Sequence, residues 1–429
     1  MSAPVPSATP LRSDFPDWLS PMLVKELRQG MRTRVFVFTF ILLQILMTLN
    51  VVIGLLSTSN NLDPGATSAI FWVMVGLPLL LILPMSGLGA LSNERSGNTL
   101  ELIFLTRLSA WRIVLGKWFA IVAQIALFAC AVLPYAVLRY FMGSVNLTDD
   151  LLGLLAMLAG AAVLTSITVG VSPFQTRATR VLSTIGIVFL LQFLIPWMLV
   201  MTLKPGVVSG GAGGFPIWQT GVTLLLFGGV LIVLMLEIAA GKIAPAAENH
   251  SAAKRALGLG FLFIAIVMIA VGAQPESTLY LALICCIPVL IGAVGDPVRL
   301  NRGVYRPFLR RGVPGRILGR LFYPGWPAGA IYAVLLLAGF GALLLHYRLL
   351  DDLRAQLVFI AGVGALFFPA LVTRLFFRQT GSPLGVFVAV AATCAVLEIL
   401  GSIVDTIFNL KLRIGLCALP PCGFLESAL

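Results

Sequence analysis

The stretch Asn93–Lys117 reads NERSGNTLELIFLTRLSAWRIVLGK, a polar, motif-like run between two long apolar segments. Its position predicts a short loop at one face of a membrane. Asn98 is placed to cap a first helix, with Glu101 three residues later, and Ser109 is placed to cap a second. The second helix would continue through Trp111 into the next apolar segment. We therefore expect a small amphipathic helix at the membrane surface, rigidly joined to a membrane-spanning helix.

The rest of the sequence is strongly apolar. Of its 429 residues, 59% are hydrophobic and only 11% are charged, whereas soluble domains carry about 25% charged residues. Lipid cannot satisfy open backbone groups, so we expect an all-α, polytopic membrane helical bundle. Apolar windows of about 20 residues predict about eleven transmembrane helices in this sequence, at 35–56, 68–92, 112–138, 151–172, 181–203, 216–240, 256–273, 278–295, 328–346, 354–373 and 383–404.

Basic residues are distributed unevenly among the predicted loops. With the N-terminus in the cytoplasm, only Arg139, Lys204, Arg348 and Arg354 fall in outer loops, and Lys411 and Arg413 lie in the tail. This is the positive-inside pattern of membrane proteins. The net charge of +12 therefore reflects topology, and we expect a lipid bilayer as the partner of this chain and no nucleic acid.

The N-terminal region divides into two parts. Residues 1–16 are rich in Pro, Ser and Ala and predict a disordered cytoplasmic tail. In residues 17–34, apolar side chains recur every four positions and Pro21 is placed to open a helix. We expect an interfacial helix here, with its basic side chains towards lipid headgroups. Its charged residues are Lys25, Glu26, Arg28 and Arg32.

For several residues within the spans, the sequence predicts a local effect on the helix or an environment for a charge. Pro78 and Pro84 in span two can kink that helix. Lys117 lies near the cytoplasmic end of span three, where its ammonium would reach the headgroups. Glu237 lies near the cytoplasmic end of span six and would reach water.

The order of residues in the loop resembles a known family. This series, between spans two and three, is similar to the coupling loop of type-2 ABC transporter permeases. It consists of Glu94-Arg95-x-Gly97-x-Thr99-Leu100-Glu101-Leu102, then Thr106-x-Leu108-Ser109, then Ile113-Val114-Leu115-Gly116-Lys117.

The resemblance implies a fold and a function. Residues 17–240 would form a six-span permease core, with 17–34 as its N-terminal elbow helix and 93–112 as a cytoplasmic coupling loop. The chain would be the transmembrane permease subunit of a bacterial ABC transporter, exporting substrate across the cytoplasmic (inner) membrane. A separate ABC ATPase subunit would drive transport. It would dock on the coupling helix through Glu94, Arg95, Gly97, Thr99, Leu100, Glu101, Leu102, Thr106 and Ser109.

The chain itself lacks the signature of an ATPase. The Gly-rich run 204–216 does not end in Gly-Lys-Ser/Thr, and no other stretch matches a phosphate-binding loop. We therefore expect ATP-Mg to bind in the partner subunit. The chain has only two His residues and shows no Ser/His/Asp or metal-ligand constellation, so we also expect no enzyme activity, cofactor or metal in this chain. The family also implies pairing with a second permease chain, either identical or different.

Residues 241–429 contain no recognised motif. They predict an additional membrane region of about five spans with a basic cytoplasmic loop at 296–327. Pro307, Gly312 and Pro314 interrupt this loop, so it is not one long helix. Contact with lipid headgroups is the favoured role, and docking of the ATPase is the alternative.

The last predicted span has a polar stripe. Glu398, Ser402 and Asp405 are spaced four and three residues apart and share one helix face. A carboxylate that meets lipid costs about 3 kcal/mol, so this face should point into the bundle or lie at the outer interface. The alternative function is therefore an ion- or proton-coupled secondary transporter that uses Glu398 and Asp405. This alternative needs no ATPase partner, which separates it from the permease.

Overall fold

The computed structural model is helical throughout most of the residues that it describes. These are residues 21–60, 64–92, 109–142, 146–174, 217–244, 248–296, 302–310, 312–351, 353–376 and 390. The described residues contain no strand. The all-α prediction is therefore confirmed for this part of the chain, and the predicted tail 1–16 lies outside it.

We number the main helices of the described residues in chain order. They are α1 (Pro21–Met31), α2 (Arg34–Asn60), α3 (Pro64–Gly76), α4 (Ala110–Phe141), α5 (Leu147–Val171), α6 (Ile217–Ile243), α7 (His250–Ala270), α8 (Pro275–Gly295), α9 (Arg302–Leu309), α10 (Gly312–Phe322), α11 (Trp326–His346) and α12 (Leu353–Phe376).

Eight helical segments among the described residues are long and apolar enough to cross a membrane. They coincide with predicted spans one to four and six to nine. The tenth predicted span falls on α12, a helix of 24 residues. The fifth, 181–203, lies outside the described residues, and so does the eleventh, 383–404, apart from residue 390. The structure therefore supports a multi-pass membrane protein, and the total of eleven spans stays a prediction.

The chain divides into two compact units, Met1–Leu203 and Lys204–Leu429. The sequence interpretation counted α6 as the sixth span of a core ending at 240, but the structure groups α6 with the second unit. There it packs against α7, and Phe227 stacks on Phe261 with ring centroids 6.0 Å apart. Both side chains are fully buried. Sequence order does not reveal such a partner, because either neighbouring apolar helix could provide one.

In the first unit, a sharp turn joins α1 to α2. The Thr33 hydroxyl donates to the Gly30 carbonyl at 2.8 Å and accepts from the Phe36 N–H at 3.3 Å. One side chain therefore ends α1 and opens α2, in the manner of a helix N-cap. The described part of α1 starts at Pro21; because the residues before it lie outside the described part of the chain, the helix start at Pro21 stays a prediction.

The second span is irregular where its prolines lie. After α3, the chain forms a π-helical segment at Leu77–Ile82, one α-turn at Leu83–Met85 and a 3₁₀ segment at Ser86–Gly89. Proline has no N–H to donate, so the regular hydrogen-bond ladder cannot continue through Pro78 and Pro84. At these prolines the structure shows a change in helix type, and the predicted kink itself stays a prediction.

The α4 helix is the longest in the described residues and is the main packing partner of α5 and α1. Its 32 residues correspond to about 48 Å, against about 30 Å for the hydrocarbon core of a bilayer. Trp118 fixes it to α5 by donating its indole N–H to the Ala162 carbonyl at 3.0 Å. A substantial part of α4 therefore extends beyond the hydrocarbon.

In the second unit, α8 packs between α7 and α11. The contact with α11 is very close, because a Cβ added at Gly329 would lie 1.8 Å from the main-chain oxygen of Ala293. Small residues allow this kind of approach between membrane helices. The hydroxyl of Tyr332 donates to the Arg255 carbonyl at 2.7 Å and so joins α11 to α7.

Candidate functional site

The coupling loop proposed from the sequence is described at its two ends. Ser92 is the last described residue before the loop, and Ser109 is the first described residue within it. Most of the predicted docking residues lie outside the described residues, as do Glu398, Ser402 and Asp405. These docking residues are Glu94, Arg95, Gly97, Thr99, Leu100, Glu101, Leu102 and Thr106.

The start of the loop is held by a buried serine. The Ser172 hydroxyl, at the end of α5, donates to the Leu88 carbonyl at 3.0 Å. It accepts from the Leu91 N–H at 2.9 Å and the Ser92 N–H at 3.3 Å. Ser172 is completely buried, so one hydroxyl satisfies three main-chain groups where the irregular second span ends. Nothing in the sequence distinguished this serine from its neighbours.

Close packing against α5 also fixes the end of span two. A Cβ at Gly87 would lie 2.3 Å from the Thr168 hydroxyl oxygen on α5. The 3₁₀ segment therefore lies directly against α5, within one helical turn of Ser172. The end of span two is fixed both by hydrogen bonds and by contact.

The end of the loop runs directly into α4. Ser109 is the N-cap residue, with an extended backbone (φ −69°, ψ 147°) before the helix begins at Ala110. Its side chain makes no capping hydrogen bond, so the predicted boundary is confirmed but the predicted cap is wrong. Ile113 and Val114 in the next turn are fully buried, which holds this end of α4 in the unit.

Helix α1 is joined to α4 by an ion pair. Lys117 Nζ lies 3.1 Å from Glu26 Oε1, and their side chains are only 6% and 17% exposed. Lys25, Arg28 and Arg32 are exposed, as expected for the basic residues of a surface helix. The charged residues of this helix therefore divide into one that faces α4 and three that remain accessible.

The expectation that Lys117 extends to the headgroups is wrong. The carboxylate of Glu26 supplies the counter-charge, so the ammonium remains buried within the unit. A buried pair of this kind is strongly destabilised when one partner is lost, because the other is left as an uncompensated charge. The pair therefore ties α1 to the helix that leaves the loop.

A second ion pair lies at the other end of the first unit. Arg139 Nη1 donates to Asp150 Oδ2 at 3.0 Å, and Arg139 Nη2 donates to the Ser68 hydroxyl at 2.9 Å. The guanidinium also lies over the Phe71 ring, 3.9 Å from its centroid. Both charged residues are buried, although the sequence interpretation placed them in outer loops. The end of α4 and the start of α5 are therefore joined within the unit.

Two charged clusters occupy one end of the second unit. In the first, His250 Nδ1 lies 2.6 Å from Glu237 Oε1 and His250 Nε2 lies 2.9 Å from Glu248 Oε2. With both ring nitrogens donating, an imidazolium would bridge the two carboxylates. Glu237 is therefore paired across the turn from α6 to α7, where the sequence predicted only access to water.

The second cluster is centred on Arg255 of α7, which is 1% exposed. Its guanidinium donates to the main-chain carbonyls of Leu321, Tyr323 and Gly325 at 2.6, 2.8 and 3.2 Å. Asp296 lies 3.6 Å from this guanidinium and 3.3 Å from Lys254 Nζ. Sequence reasoning counted Arg255 only as a cytoplasmic charge. Its role as a cap for the end of α10 depends on contacts with residues more than 60 positions away.

These sites offer structural anchoring and charge pairing. Among the described residues, no group of three or more His, Cys, Asp or Glu side chains is arranged to hold a metal ion. Cys285 and Cys286 are buried in α8, and Cys286 lies 3.7 Å from the Gly258 carbonyl. The clearest functional geometry is the pair of anchors at the two ends of the loop.

Comparison with protein-family models, with curated proteins and with solved structures gave no match to this chain.

Proposed function

We propose that this chain is the transmembrane permease subunit of an ABC transporter that exports a substrate across the bacterial cytoplasmic membrane. A separate ATPase subunit docks on the loop 93–112, from the cytoplasmic side. The N-terminus lies on this same side, and the ATP-Mg sites belong to the partner. The ordered series of residues from Glu94 to Lys117 supplies the resemblance on which the proposal rests.

The observation that carries the proposal is the anchoring of this loop at both ends. Ser172 holds the residues that lead into it, and the Glu26–Lys117 pair holds the helix that leaves it. A loop that merely connects two spans needs no such anchors. Anchors are needed where a force on the loop must reach the spans without loss.

The length of α4 supports the same function. Its 32 residues exceed the hydrocarbon thickness by about 18 Å, so the helix continues from the loop through the membrane without a break. A displacement of the loop would therefore move α4, and with it α1 through Glu26. In this proposal, closure of the partner ATPase is converted into movement of α4 against α5.

The test is affinity purification of the full chain in mild detergent, after crosslinking, followed by identification of soluble ATPases. We expect an ATPase with the wild type and its loss with Glu101→Arg. The matched control is Asp149→Arg, which makes the same charge change at an exposed residue of the predicted outer side. It should retain the ATPase.

Absence of an ATPase from the crosslinked wild-type sample would contradict the proposal. The favoured function would then be the ion- or proton-coupled secondary transporter. This alternative rests on the polar helix face formed by Glu398, Ser402 and Asp405. In that case Glu398→Gln should change the pH dependence of transport, whereas an ATP-driven permease should be insensitive to it.

A further inference from the structure

The connection between α8 and α11 is strongly basic. Residues 297–350 contain no Asp or Glu at all, so within this stretch no acidic residue balances the arginines. These arginines are Arg299, Arg302, Arg306, Arg310, Arg311, Arg316 and Arg320.

The described part of this connection is a helical hairpin formed by α9 and α10, which pack against each other. Arg306 and Arg310 are four residues apart, as are Arg316 and Arg320, so each pair shares one side of its helix. All four are exposed. Within the part of the chain that the structure describes, none of these four guanidinium groups has an acidic partner.

A different side of α10, about 100° around the helix from the arginines, is buried. Gly315 and Gly319 lie on this side and are buried, and a Cβ at Gly319 would lie 2.5 Å from the Tyr323 ring. Besides α9, α10 packs against α11 and α7. The buried side of α10 is therefore distinct from the side that carries the exposed arginines.

Contacts of Arg255 and of nearby aromatic residues indicate where the hairpin lies relative to the lipid headgroups. Three main-chain carbonyls at the end of α10 accept from Arg255, and Tyr323 makes an edge contact with Phe308 at 5.3 Å. Trp326, 41% exposed, begins the membrane-spanning helix α11. Tryptophan and tyrosine at the end of a span mark the headgroup level of a bilayer, so the hairpin lies at that level.

Exposed apolar side chains stand beside the arginines. Leu309 is 45% exposed and Val313 is 67% exposed, and both lie at the junction of the two helices. A surface that combines unpaired cations with exposed apolar groups suits the boundary between headgroups and acyl chains. A water-facing surface for a soluble protein would not need these apolar groups.

We propose that the α9–α10 hairpin is a binding surface for anionic phospholipids. Arg306, Arg310, Arg316 and Arg320 bind the phosphates, and Leu309 and Val313 enter the layer below them. The guanidinium group is well suited to this, since its planar donors match phosphate oxygens. This role concerns the second unit alone and does not depend on the proposed use of ATP.

The test measures lipid selectivity of the purified full chain. The protein is reconstituted in phosphatidylcholine bilayers with a trace of spin-labelled phosphatidylglycerol or phosphatidylcholine, and the motionally restricted fraction of each label is compared. We expect the wild type to prefer phosphatidylglycerol and to lose this preference progressively as salt is raised, because exposed charges are screened.

Variants then locate the preference on the hairpin. The fourfold variant R306Q/R310Q/R316Q/R320Q should lose most of it, and the charge-keeping variant R306K/R310K/R316K/R320K should keep it. The control Arg348→Gln removes an exposed arginine beyond the other end of α11 and should change nothing. Salt dependence and the lysine variant require no loss of charge, so they test the proposal even where the glutamine variant folds poorly.

Three results would overturn the proposal. They are a wild type without preference, a glutamine variant with full preference, and a lysine variant with none. If the glutamine variant kept its lipid preference but lost a soluble partner in co-purification, the surface would be a protein-docking face. Glu101→Arg should leave lipid selectivity intact, so failure of the proposed function would be recognised separately.

Discussion

At the scale of single residues, charged side chains assigned to loops or membrane surfaces proved to be internal. Arg139 and Asp150 were placed in outer loops, yet they form a buried pair with Ser68 as a third member. Two charges are tolerated in such a place because each satisfies the other and the remaining donors find oxygen.

Asp150→Asn should therefore lower the free energy of unfolding by about 3 kcal/mol, because it leaves the Arg139 guanidinium buried without a counter-charge. Unfolding by SDS in mixed micelles measures this. The neighbouring Asp149 is exposed, so Asp149→Asn should change stability by no more than about 0.5 kcal/mol. Equal effects of the two substitutions would show that the pair contributes nothing specific.

The contact of Gly329 with Ala293 leads to a second prediction. Gly329→Ala places a methyl group 1.8 Å from a main-chain oxygen, so α8 and α11 must separate. We expect a loss of about 1–3 kcal/mol in the same SDS titration. Gly292, one position before Ala293, has open space around its Cβ position. The control Gly292→Ala should be neutral or stabilising by up to about 0.5 kcal/mol, and a comparable loss there would contradict the packing argument.

Residue composition could not reveal these roles. Asp149 and Asp150 are adjacent and chemically identical, and only the rotation of α5 decides which one faces Arg139. The same is true of Gly292 and Gly329, which look alike until the helices are packed. The sequence predicts that such residues exist at span ends, and the tertiary contacts select among them.

At the scale of secondary structure elements, local sequence signals predicted where some helices begin or end. Ser109 precedes α4, and the break between α9 and α10 falls in the region that Pro307 and Gly312 predicted. These signals act through the backbone itself, since proline lacks an N–H and a helix start needs an extended residue before it. The change of helix type in span two was only partly predictable, because it also depends on contact with α5.

Ser172→Ala should weaken the end of span two specifically. It removes the acceptor of the Leu91 N–H, and we expect a loss of about 2 kcal/mol and faster amide exchange at Leu91 by hydrogen–deuterium exchange. Ser166 is also fully buried, but its hydroxyl donates only to Val163 in its own helix.

The matched control Ser166→Ala should cost less than about 1 kcal/mol and should leave exchange at Leu91 unchanged. Slow exchange at Leu91 in the Ser172→Ala protein would mean that another group holds the start of the loop.

At the scale of the whole molecule, the membrane-spanning pattern was the most predictable property. Hydropathy alone placed eight helices that the structure contains, because burial in lipid imposes the same apolar requirement on every span. The grouping of these helices was not predictable, and α6 belongs with the second unit. Hydropathy reports the surroundings of a helix as apolar and cannot distinguish lipid from a neighbouring helix.

The predicted orientation can be tested on either side of α11. In a background with the native cysteines replaced by alanine, Tyr347→Cys should react with a membrane-impermeant maleimide in intact cells. Arg310→Cys should react only after the membrane is opened. Both positions are exposed, and they lie before and after α11, whose 21 residues span about 31 Å. The reverse pattern would place the α9–α10 hairpin on the outer side and contradict the predicted orientation of the second unit.

The bonds of Ser172 also have a consequence for synthesis of the protein. The acceptor of the Leu91 N–H is made 81 residues after Leu91 itself. While the ribosome adds those residues, Ser172 is not yet present to accept the hydrogen bond from the Leu91 N–H, and water at the membrane surface takes its place. Span two therefore enters the bilayer with its last turn unfinished, and the turn closes when the fourth span arrives. Insertion of the first four spans should accordingly be a joint event, with the loop between spans two and three taking its anchored form only at the end.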